Sequence, residues 1–336
     1  MAGKRAITME EIAKLAKVSK PTVSRALSDS PLVKPETREH VLSIARRHGY
    51  TVNRNAQKLR QKRTATIAVS LDFRSHQGNH IADPFIFDLL AGVSEALGAC
   101  SQDLLLCAPS HNDAESFQQM LSGKTADGFI VLGQGHREEM LAGLAGSGAP
   151  LVVWGAGTPD TPYCVVGSDN LRGGLLAGRH FLQRGRERFL FVGDVSFREI
   201  YLRREGLRQA VAESGRDIAL TDLDAGNFSF ESAYETARRF LASGAAVPDA
   251  VFAFSDTAAM AFIRAFREAG LRFPEDVSVV GYNDIPSAEY FSPPLTTVRQ
   301  DNHQAGRLLV DKLMDMLDGL PAESATIETE LIVRQT

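Results

Sequence analysis

Polar side chains that suit contacts with DNA bases lie on one face of a short helical segment after Ser19. The outward face carries Lys20, Thr22, Ser24 and Arg25, and the apolar face carries Val23, Ala26 and Leu27. A helix fits the major groove of B-form DNA, where the guanidinium of Arg25 can donate to both O6 and N7 of a guanine. The alternative interpretation is a solvated helix face, since exposed helices carry polar residues there.

The neighbouring residues suit other kinds of DNA contact. Lys20 can reach a guanine or a phosphate, and the hydroxyls of Ser19 and Ser24, with the N-terminus of the helix, suit phosphates. Pro21 has no side-chain donor, so it offers only shape or an apolar contact with a thymine methyl group. We therefore expect a DNA-binding surface over residues 19–25.

A second candidate DNA-binding segment covers residues 53–63. Asn53, Ala56 and Leu59 recur every three residues and share one helical face, but so short a helix is marginal by itself. We expect it to form when two copies of the chain pair on DNA, with Leu59 wedged into a minor-groove base step. Arg60 and the basic residues after it would then hold phosphates. The alternative is a linker helix whose Leu59 packs on its own domain.

Three short helices are predicted to position these side chains. Thr8 and Glu11 have the spacing of a capping box, Ser19 can cap the second helix, and the third runs from Pro35 to a stop at Gly49. Two short helices across a tight turn, supported by a third, are typical of a helix-turn-helix unit. We therefore predict a small all-α helix-turn-helix domain over residues 1–52, followed by a hinge helix and linker over residues 53–63.

Charge is distributed unevenly along the 336 residues. Residues 1–63 contain 15 Lys and Arg and 5 Asp and Glu, whereas the remainder contains 22 Lys and Arg and 36 Asp and Glu. The small basic segment thus has a formal charge of +10 and is joined to a body of charge −14. This asymmetry favours a polyanionic partner for the segment alone, and its apolar periodicity argues against a simple solvated tail.

Residues 64–336 have the pattern of a different fold. Apolar segments of strand length lie at 66–71, 104–108, 129–132, 151–154, 189–192, 251–254, 277–281 and 327–333. Helical segments such as 85–98, 171–184 and 257–269 lie between them. Alternating strands and helices predict parallel sheets covered on both faces, and about 270 residues suggest two of them. Ligands of such sheets bind beyond the carboxyl ends of the strands.

The first residues resemble the DNA-binding domain of the lactose-repressor (LacI/GalR type) family. The similarity rests on the segment ITMEEIAKLAKVSKPTVSRAL (7–27) and on the spacing of Asn53, Ala56 and Leu59. It implies a recognition helix in the major groove with Lys20, Pro21 and Arg25 at the specificity positions, and Leu59 in the minor groove. Lys17, Lys34 and Val52 depart from the family pattern, which usually has a turn glycine, a Ser or Thr cap and a proline there.

The resemblance continues through the body of the chain. It is carried by VVGSDN (165–170), RREG (203–206), VVGYND (279–284) and FSPPLTTVRQ (291–300). It implies a two-subdomain, periplasmic-binding-protein-like α/β effector domain over residues 64–336. The N-subdomain would comprise about 64–166 and 298–328, and the C-subdomain about 167–297 and 329–336, with crossings near 167, 297 and 328.

The resemblance also implies an effector site between these subdomains. Its expected residues are Asp83, Phe85, Trp154, Arg203, Phe228, Asp256, Asn283 and Gln300. Charged and amide groups supply the directed hydrogen bonds that hydroxylated ligands need, and aromatic faces supply apolar contact. A sugar or glycoside is favoured, with a purine or other metabolite as the alternative; taken singly, each aromatic residue could instead pack in the core.

These observations together predict a homodimeric, ligand-controlled transcriptional regulator acting as a repressor on a pseudo-palindromic operator. We expect a cytoplasmic location, no membrane span, no metal, no cofactor and no catalytic residues, because the corresponding sequence patterns are missing. A dimer is favoured over a tetramer, since no heptad helix follows the last strand. A solute-binding protein and a sugar-modifying enzyme are the alternative classes, and the basic N-terminal segment argues against both.

Overall fold

The computed structural model describes residues 7–27, 30–50, 63–72 and 83–336. Residue contacts divide the chain into two compact units, Met1–Thr64 and Ala65–Thr336. Four residues predicted to contact DNA, Asn53, Ala56, Leu59 and Arg60, lie outside the described residues, so their roles stay predictions.

The first unit contains the three predicted helices, α1 (Met9–Ala16), α2 (Lys20–Leu27) and α3 (Pro35–Arg47). The predicted capping box starts α1, because the Thr8 hydroxyl accepts from Glu11 N (3.3 Å) and the Glu11 carboxylate accepts from Thr8 N (2.7 Å). Lys17 then ends the helix in the left-handed conformation (φ 54°), where a non-glycine residue costs about 1–2 kcal/mol. The tight turn between α1 and α2 thus forms despite the missing glycine.

A small apolar core fixes the orientation of α2 relative to α1 and α3. Ile12 and Ala16 of α1 pack with Val23 and Ala26 of α2 and with Val41 of α3, and all five are buried. The polar residues of α2 therefore face away from this core, as the sequence pattern predicts.

The second unit contains two six-stranded sheets. Its strands are β1 (Thr66–Leu71), β2 (Asp103–Leu106), β3 (Gly128–Leu132), β4 (Leu151–Trp154), β5 (Cys164–Ser168), β6 (Arg188–Val192), β7 (Ala219–Leu223), β8 (Ala250–Ala253), β9 (Ser278–Asn283), β10 (Thr296–Gln300), β11 (Ala325–Ile327) and β12 (Thr329–Ile332). The order is β11-β5-β4-β3-β1-β2 in the first sheet and β12-β10-β9-β8-β6-β7 in the second. All neighbours are parallel except β12, which pairs antiparallel with β10.

Helices cover both faces of these sheets. They are α4 (Pro84–Ala99), α5 (Ala114–Ser122), α6 (Glu138–Gly146), α7 (Asn170–Gln183), α8 (Arg198–Ser214), α9 (Phe230–Ala242), α10 (Asp256–Glu268), α11 (Ser287–Tyr290) and α12 (Asn302–Leu317). Consecutive residues of β3 serve opposite layers: Phe129 stacks on Phe117 of α5, and Ile130 belongs to the core that contains Leu89 of α4. A strand buried on both faces explains the continuous apolar segment at 129–132.

The strand order shows where the chain passes from one sheet to the other, and two features differ from the expectation. The second crossing, expected near 297, lies after Gln300, because β10 stays hydrogen-bonded to β9 as far as Arg299. The strand expected at 327–333 is two strands, β11 in the first sheet and β12 in the second. Glu328 alone separates them, so the third crossing is made by a single residue.

Two helices of the second sheet approach each other through glycines. A Cβ atom placed on Gly206 of α8 would lie 1.9 Å from Leu171 O, and one on Gly174 of α7 would lie 1.8 Å from Arg203 O. Any side chain at these positions would therefore hold the two helix backbones apart. The close approach of the two helices fixes the distance between α8 and the sheet. Because Arg203 and Glu199 lie on α8, it also fixes the position of these two side chains.

None of the helices in the described part of the chain is long and apolar enough to cross a membrane.

Candidate functional site

The predicted DNA-binding side chains lie together on the exposed face of α2. Lys20, Pro21 and Arg25 are exposed, and Thr22 and Ser24 are partly exposed. Ser19 begins the helix, since its hydroxyl accepts from Thr22 N at 3.3 Å. The Lys20 ammonium lies 2.9 Å from a Glu10 carboxylate oxygen, and both side chains are largely exposed. An exposed pair of this kind is weak because solvent screens the two charges, so Lys20 can be recruited by another anion.

The second unit contains a cavity at the carboxyl ends of strands from both sheets. Asp72 follows β1, Trp154 ends β4, Phe254 follows β8 and Asn283 ends β9. The space between its walls, the open mouth included, is about 740 Å³.

Six of the eight predicted effector-site residues line this cavity. They are Asp83, Phe85, Trp154, Arg203, Phe228 and Asn283. The rings of Phe85 and Trp154 lie 6.1 Å apart on one side, and Phe228 packs edge-on against Phe197 and Phe254 at 5.2 and 5.1 Å. Their convergence makes a ligand-binding role physically feasible, and that role stays a prediction.

Asp256 does not line the cavity, which corrects its expected place in the site. It is fully buried at the start of α10, where its carboxylate accepts from Ile285 N (2.8 Å) and from the Thr297 hydroxyl (2.5 Å). Burial raises the pKa of this carboxyl well above its ordinary value, against the effect of both hydrogen bonds. Asp256 therefore ties α10 to β10 and the segment after β9, while the residue before it, Ser255, reaches the cavity.

Gln300 is also absent from the cavity wall. Its side-chain amide donates to the Asn283 Oδ1 atom at 2.7 Å. Asn283 has φ 108°, a strained value for a residue with a side chain, and is nine-tenths buried or more. Gln300 therefore holds the Asn283 side chain from behind and contributes to the site indirectly.

Arg203 is held rigidly at the cavity. Its Nε donates to Asn170 Oδ1 (2.8 Å), its Nη1 donates to Phe254 O (2.6 Å), and its guanidinium carbon lies 3.6 Å from the centre of the Tyr282 ring. Burial lowers the pKa of Arg203, and Tyr282, Glu199 and Asp83 oppose this. A guanidinium fixed by two carbonyl oxygens and an aromatic face is preorganised for a ligand.

Asp83 caps α4 and is buried at the cavity. Its carboxylate accepts from Phe85 N at 3.1 Å. Burial raises the pKa of this carboxyl to about 6, while the hydrogen bond from Phe85 and the charge of Arg203 act in the opposite direction.

We expect Asp83→Asn to remove a pH-dependent loss of stability. The folded pKa of about 6 exceeds the ordinary 3.8, so the folded chain binds more protons and loses stability as pH rises through this window. Asparagine keeps the acceptor for Phe85 N without titrating. The variant should therefore gain roughly 2–3 kcal/mol relative to the parent between about pH 4 and pH 8. Urea unfolding at both ends of the window measures this, with exposed Asp217→Asn as the control; a pH-independent difference would contradict it.

Eleven further cavity residues were missed by the sequence analysis, and six of them have polar or aromatic side chains. These six are Asp72, Gln134, Phe197, Glu199, Phe254 and Ser255. Glu199 had a detectable signal, because it precedes Arg203 by four residues and so shares its helical face. Gln134 lies between Gly133 (φ 94°) and Gly135 (φ 55°) in the loop after β3, where the glycines allow the turn that brings it to the cavity.

Within the described residues, no group of three or more His, Cys, Asp or Glu side chains has an arrangement that could hold a metal ion.

Comparison with known proteins agrees with both parts of the chain. Residues 8–53 match the family model of bacterial regulatory proteins of the lacI family, and residues 179–336 match that of a periplasmic binding protein-like domain. The HTH-type transcriptional regulator CelR of Thermobifida fusca is 33% identical, with all of both chains covered. The HTH-type transcriptional repressor PurR of Photobacterium profundum is 31% identical over 98% of each chain.

Solved structures show the same architecture. A lac repressor dimer bound to operator and the anti-inducer ONPF superposes with a TM-score of 0.82 at 24% identity, covering 99% of both chains. A complex of the transcriptional regulator CelR with cellobiose has a TM-score of 0.68 at 30% identity, covering 98% of this chain and 99% of that one. The predicted fold class is thereby confirmed. The chain belongs to the lacI family of bacterial regulatory proteins and is a transcriptional regulator, not an enzyme.

Proposed function

We propose that the chain is a cytoplasmic, homodimeric repressor that binds a pseudo-palindromic operator and responds to a sugar or glycoside. The observation that carries the ligand class is the cavity, where aromatic rings from both sheets surround a fixed guanidinium, carboxylates and an amide. Aromatic faces and directed polar groups together are what a polyhydroxylated ring requires. The CelR–cellobiose complex, at 30% identity, is a relative that binds a sugar.

The DNA-binding half of the proposal rests on α2. Its exposed Lys20, Pro21 and Arg25 stand on a helix whose other face is fixed by an apolar core, so the helix can enter a major groove as a rigid unit. Two copies would address two half-sites, and the segment 53–63, with Leu59, would pair over the centre of the operator.

Ligand binding would act through the two sheets that form the cavity. A ligand that contacts both sheets shifts their relative position if it binds one arrangement of the sheets more tightly than another. By linkage, operator DNA must then change the ligand affinity by the same factor as the ligand changes the operator affinity. A coupling of a few kcal/mol is enough to release the operator. We expect release, although a corepressor would act through the same linkage with opposite sign.

A thermal-shift screen of the full chain tests the ligand class. The panel contains mono- and disaccharides, glycosides and purine bases, the last because PurR-named relatives are also similar to the chain. A ligand at about 100 times its dissociation constant stabilises the folded state by roughly 2.7 kcal/mol. A sugar that raises the melting temperature and releases operator DNA supports the proposal, whereas a purine base that does so in place of every sugar overturns it.

We expect Arg25→Ala to weaken operator binding by about 1–3 kcal/mol and to relax base preference at one position of each half-site. The physical reason is the loss of a two-point contact with guanine. An operator is first selected from random DNA, and fluorescence anisotropy then measures the affinity of the parent and the variant for it. Exposed Arg47→Ala, at the end of α3, is the matched control. Unchanged affinity and sequence preference for Arg25→Ala would remove it from the recognition surface.

A further inference from the structure

We propose that the effector carries no anionic group and is a neutral, polyhydroxylated molecule. This inference rests on the proposed function and narrows its ligand class, because it separates neutral sugars from sugar acids and sugar phosphates. It follows from the carboxylates in the cavity wall, the way in which Arg203 is held, and a polar atom left without a partner.

Carboxylates outnumber cations in the cavity wall. Asp72, Asp83 and Glu199 line it, and Arg203 is its one cationic residue within the described part of the chain. Asp72 and Asp83 are more than nine-tenths buried, so solvent screens their charges poorly. An anionic ligand would enter beside three carboxyl groups, and like charges in a poorly solvated site repel strongly.

The second buried arginine nearby offers no hydrogen-bond donor to a ligand. Arg137 lies 3.9 Å from Asp72 through its Nε, and its other nitrogens donate to Asn112 Oδ1 (2.8 Å) and to Gly133 O (2.5 Å). The guanidinium thus holds the loop after β3 from behind and is absent from the cavity wall. Its charge compensates Asp72 but provides no donor to a bound anion.

Arg203 is already partly bonded to the protein. An arginine binds a carboxylate or phosphate most strongly through two parallel N–H bonds, from Nη1 and Nη2 or from Nε and Nη2. In this chain the single N–H of Nε donates to Asn170 Oδ1, which closes the Nε–Nη2 edge to a ligand, and one of the two N–H groups of Nη1 donates to Phe254 O. The remaining N–H groups can donate single hydrogen bonds, which suit a hydroxyl or ring oxygen.

The polar atoms of the cavity call for hydroxyl donors. Carboxylates accept hydrogen bonds only, and two adjacent hydroxyls match their two oxygens. Gln134 is 4% exposed, lines the cavity, and has no hydrogen-bond partner for its Oε1 within the described residues. A buried acceptor without a partner costs about 1–3 kcal/mol, and a ligand hydroxyl would remove this cost. A polyol supplies such donors without adding charge.

The test compares neutral sugars with their acidic counterparts. Glucose, galactose, mannose and cellobiose are each measured beside the corresponding uronate and 6-phosphate by thermal shift and calorimetry at about pH 8, above the pKa of about 6 of the Asp83 carboxyl. We expect a neutral member to bind at least about 100-fold more tightly than its acids. An acid that binds as tightly as its neutral partner, or more tightly, overturns the inference while leaving a sugar effector in place. If no compound of the panel binds, the proposed sugar effector is overturned and this inference with it.

Glu199→Gln tests whether the carboxylates cause the selectivity. Glutamine keeps the length and a carbonyl acceptor but removes the charge, so the neutral-to-acid affinity ratio should fall by about tenfold or more. Glu205→Gln, on the same helix but outside the cavity and paired with Arg204, is the matched control. Operator binding without sugar verifies that each variant is folded. An unchanged ratio in Glu199→Gln overturns the electrostatic basis.

Discussion

Arg203→Lys should abolish the ligand response while leaving operator affinity without ligand nearly unchanged. A lysine has one nitrogen in place of the two that now donate to Asn170 Oδ1 and Phe254 O, and it presents no planar face to Tyr282. Its ammonium cannot occupy both nitrogen positions, so the donor that we expect to meet the ligand would be misplaced. We expect sugar affinity to fall at least about 100-fold, which corresponds to about 2.7 kcal/mol.

The neighbouring arginine provides the control for this experiment. Arg204 precedes Glu205 on α8 and pairs with it and with Asp222 outside the cavity, so Arg204→Lys should retain the response. Calorimetry with the sugar found by thermal shift, and anisotropy with operator DNA, separate ligand binding from DNA binding. If Arg203→Lys retains the response, or loses operator binding to the same extent, the residue serves the fold and not the ligand.

The sequence pattern predicted the elements that depend on local signals. The capping box of Thr8 and Glu11, the apolar faces of α1 and α2, and the alternation of buried strands with helices all arise from neighbouring residues, and the structure has them. The left-handed conformation of Lys17 also follows from position, because the turn requires it whichever residue stands there.

Features that depend on long-range pairing were harder to predict. The segment 327–333 has the length and composition of one strand, and only the pairing of Ile327 with Ser168 and of Thr329 with Gln300 divides it between two sheets. Short strands contain too little sequence to specify their partners. The same applies to the crossing after Gln300.

Single residues of the site show the same difference between local signals and long-range pairing. Trp154 and Asn283, which were expected in the effector site, line the cavity because parallel strands end together at one edge of a sheet. The sequence pattern does not indicate which way a side chain points. Asp256 turns toward Thr297, and Gln300 binds Asn283, although both residues were expected to face the ligand. Their partners are 41 and 17 residues away, so no local signal encodes them.

The difference between local and long-range signals determines how the effector class can be inferred. Family membership supplies the arginine and the aromatic residues, whereas the sign of the charge in the cavity depends on Asp72 and Glu199, which only the folded chain brings beside Asp83. Relatives that share the fold can therefore differ in ligand charge through one or two wall positions, and function has to be argued from the site itself.

Gly206→Ala should be the most destabilising of the substitutions considered. The new methyl group would lie 1.9 Å from Leu171 O and 2.7 Å from Leu175 N, both backbone atoms of α7 that no rotamer change can move. The helices would have to separate, at an expected cost of about 3–5 kcal/mol in the free energy of unfolding. Because α8 also carries Glu199 and Arg203, the same displacement should weaken ligand binding. Urea unfolding measures the first effect and calorimetry the second.

Gly143→Ala on α6 is the matched control, since a Cβ there has no heavy atom within 4 Å and the backbone is equally helical. We expect it to stabilise the chain by up to about 1 kcal/mol, because alanine has the higher helix propensity and loses less backbone entropy on folding. The opposite signs of two identical substitutions would show that backbone contact between α7 and α8, and not helix propensity, fixes the height of Arg203 at the cavity. A cost below about 1 kcal/mol for Gly206→Ala would mean that the helices can separate freely, and the rigid placement of the guanidinium would then need another cause.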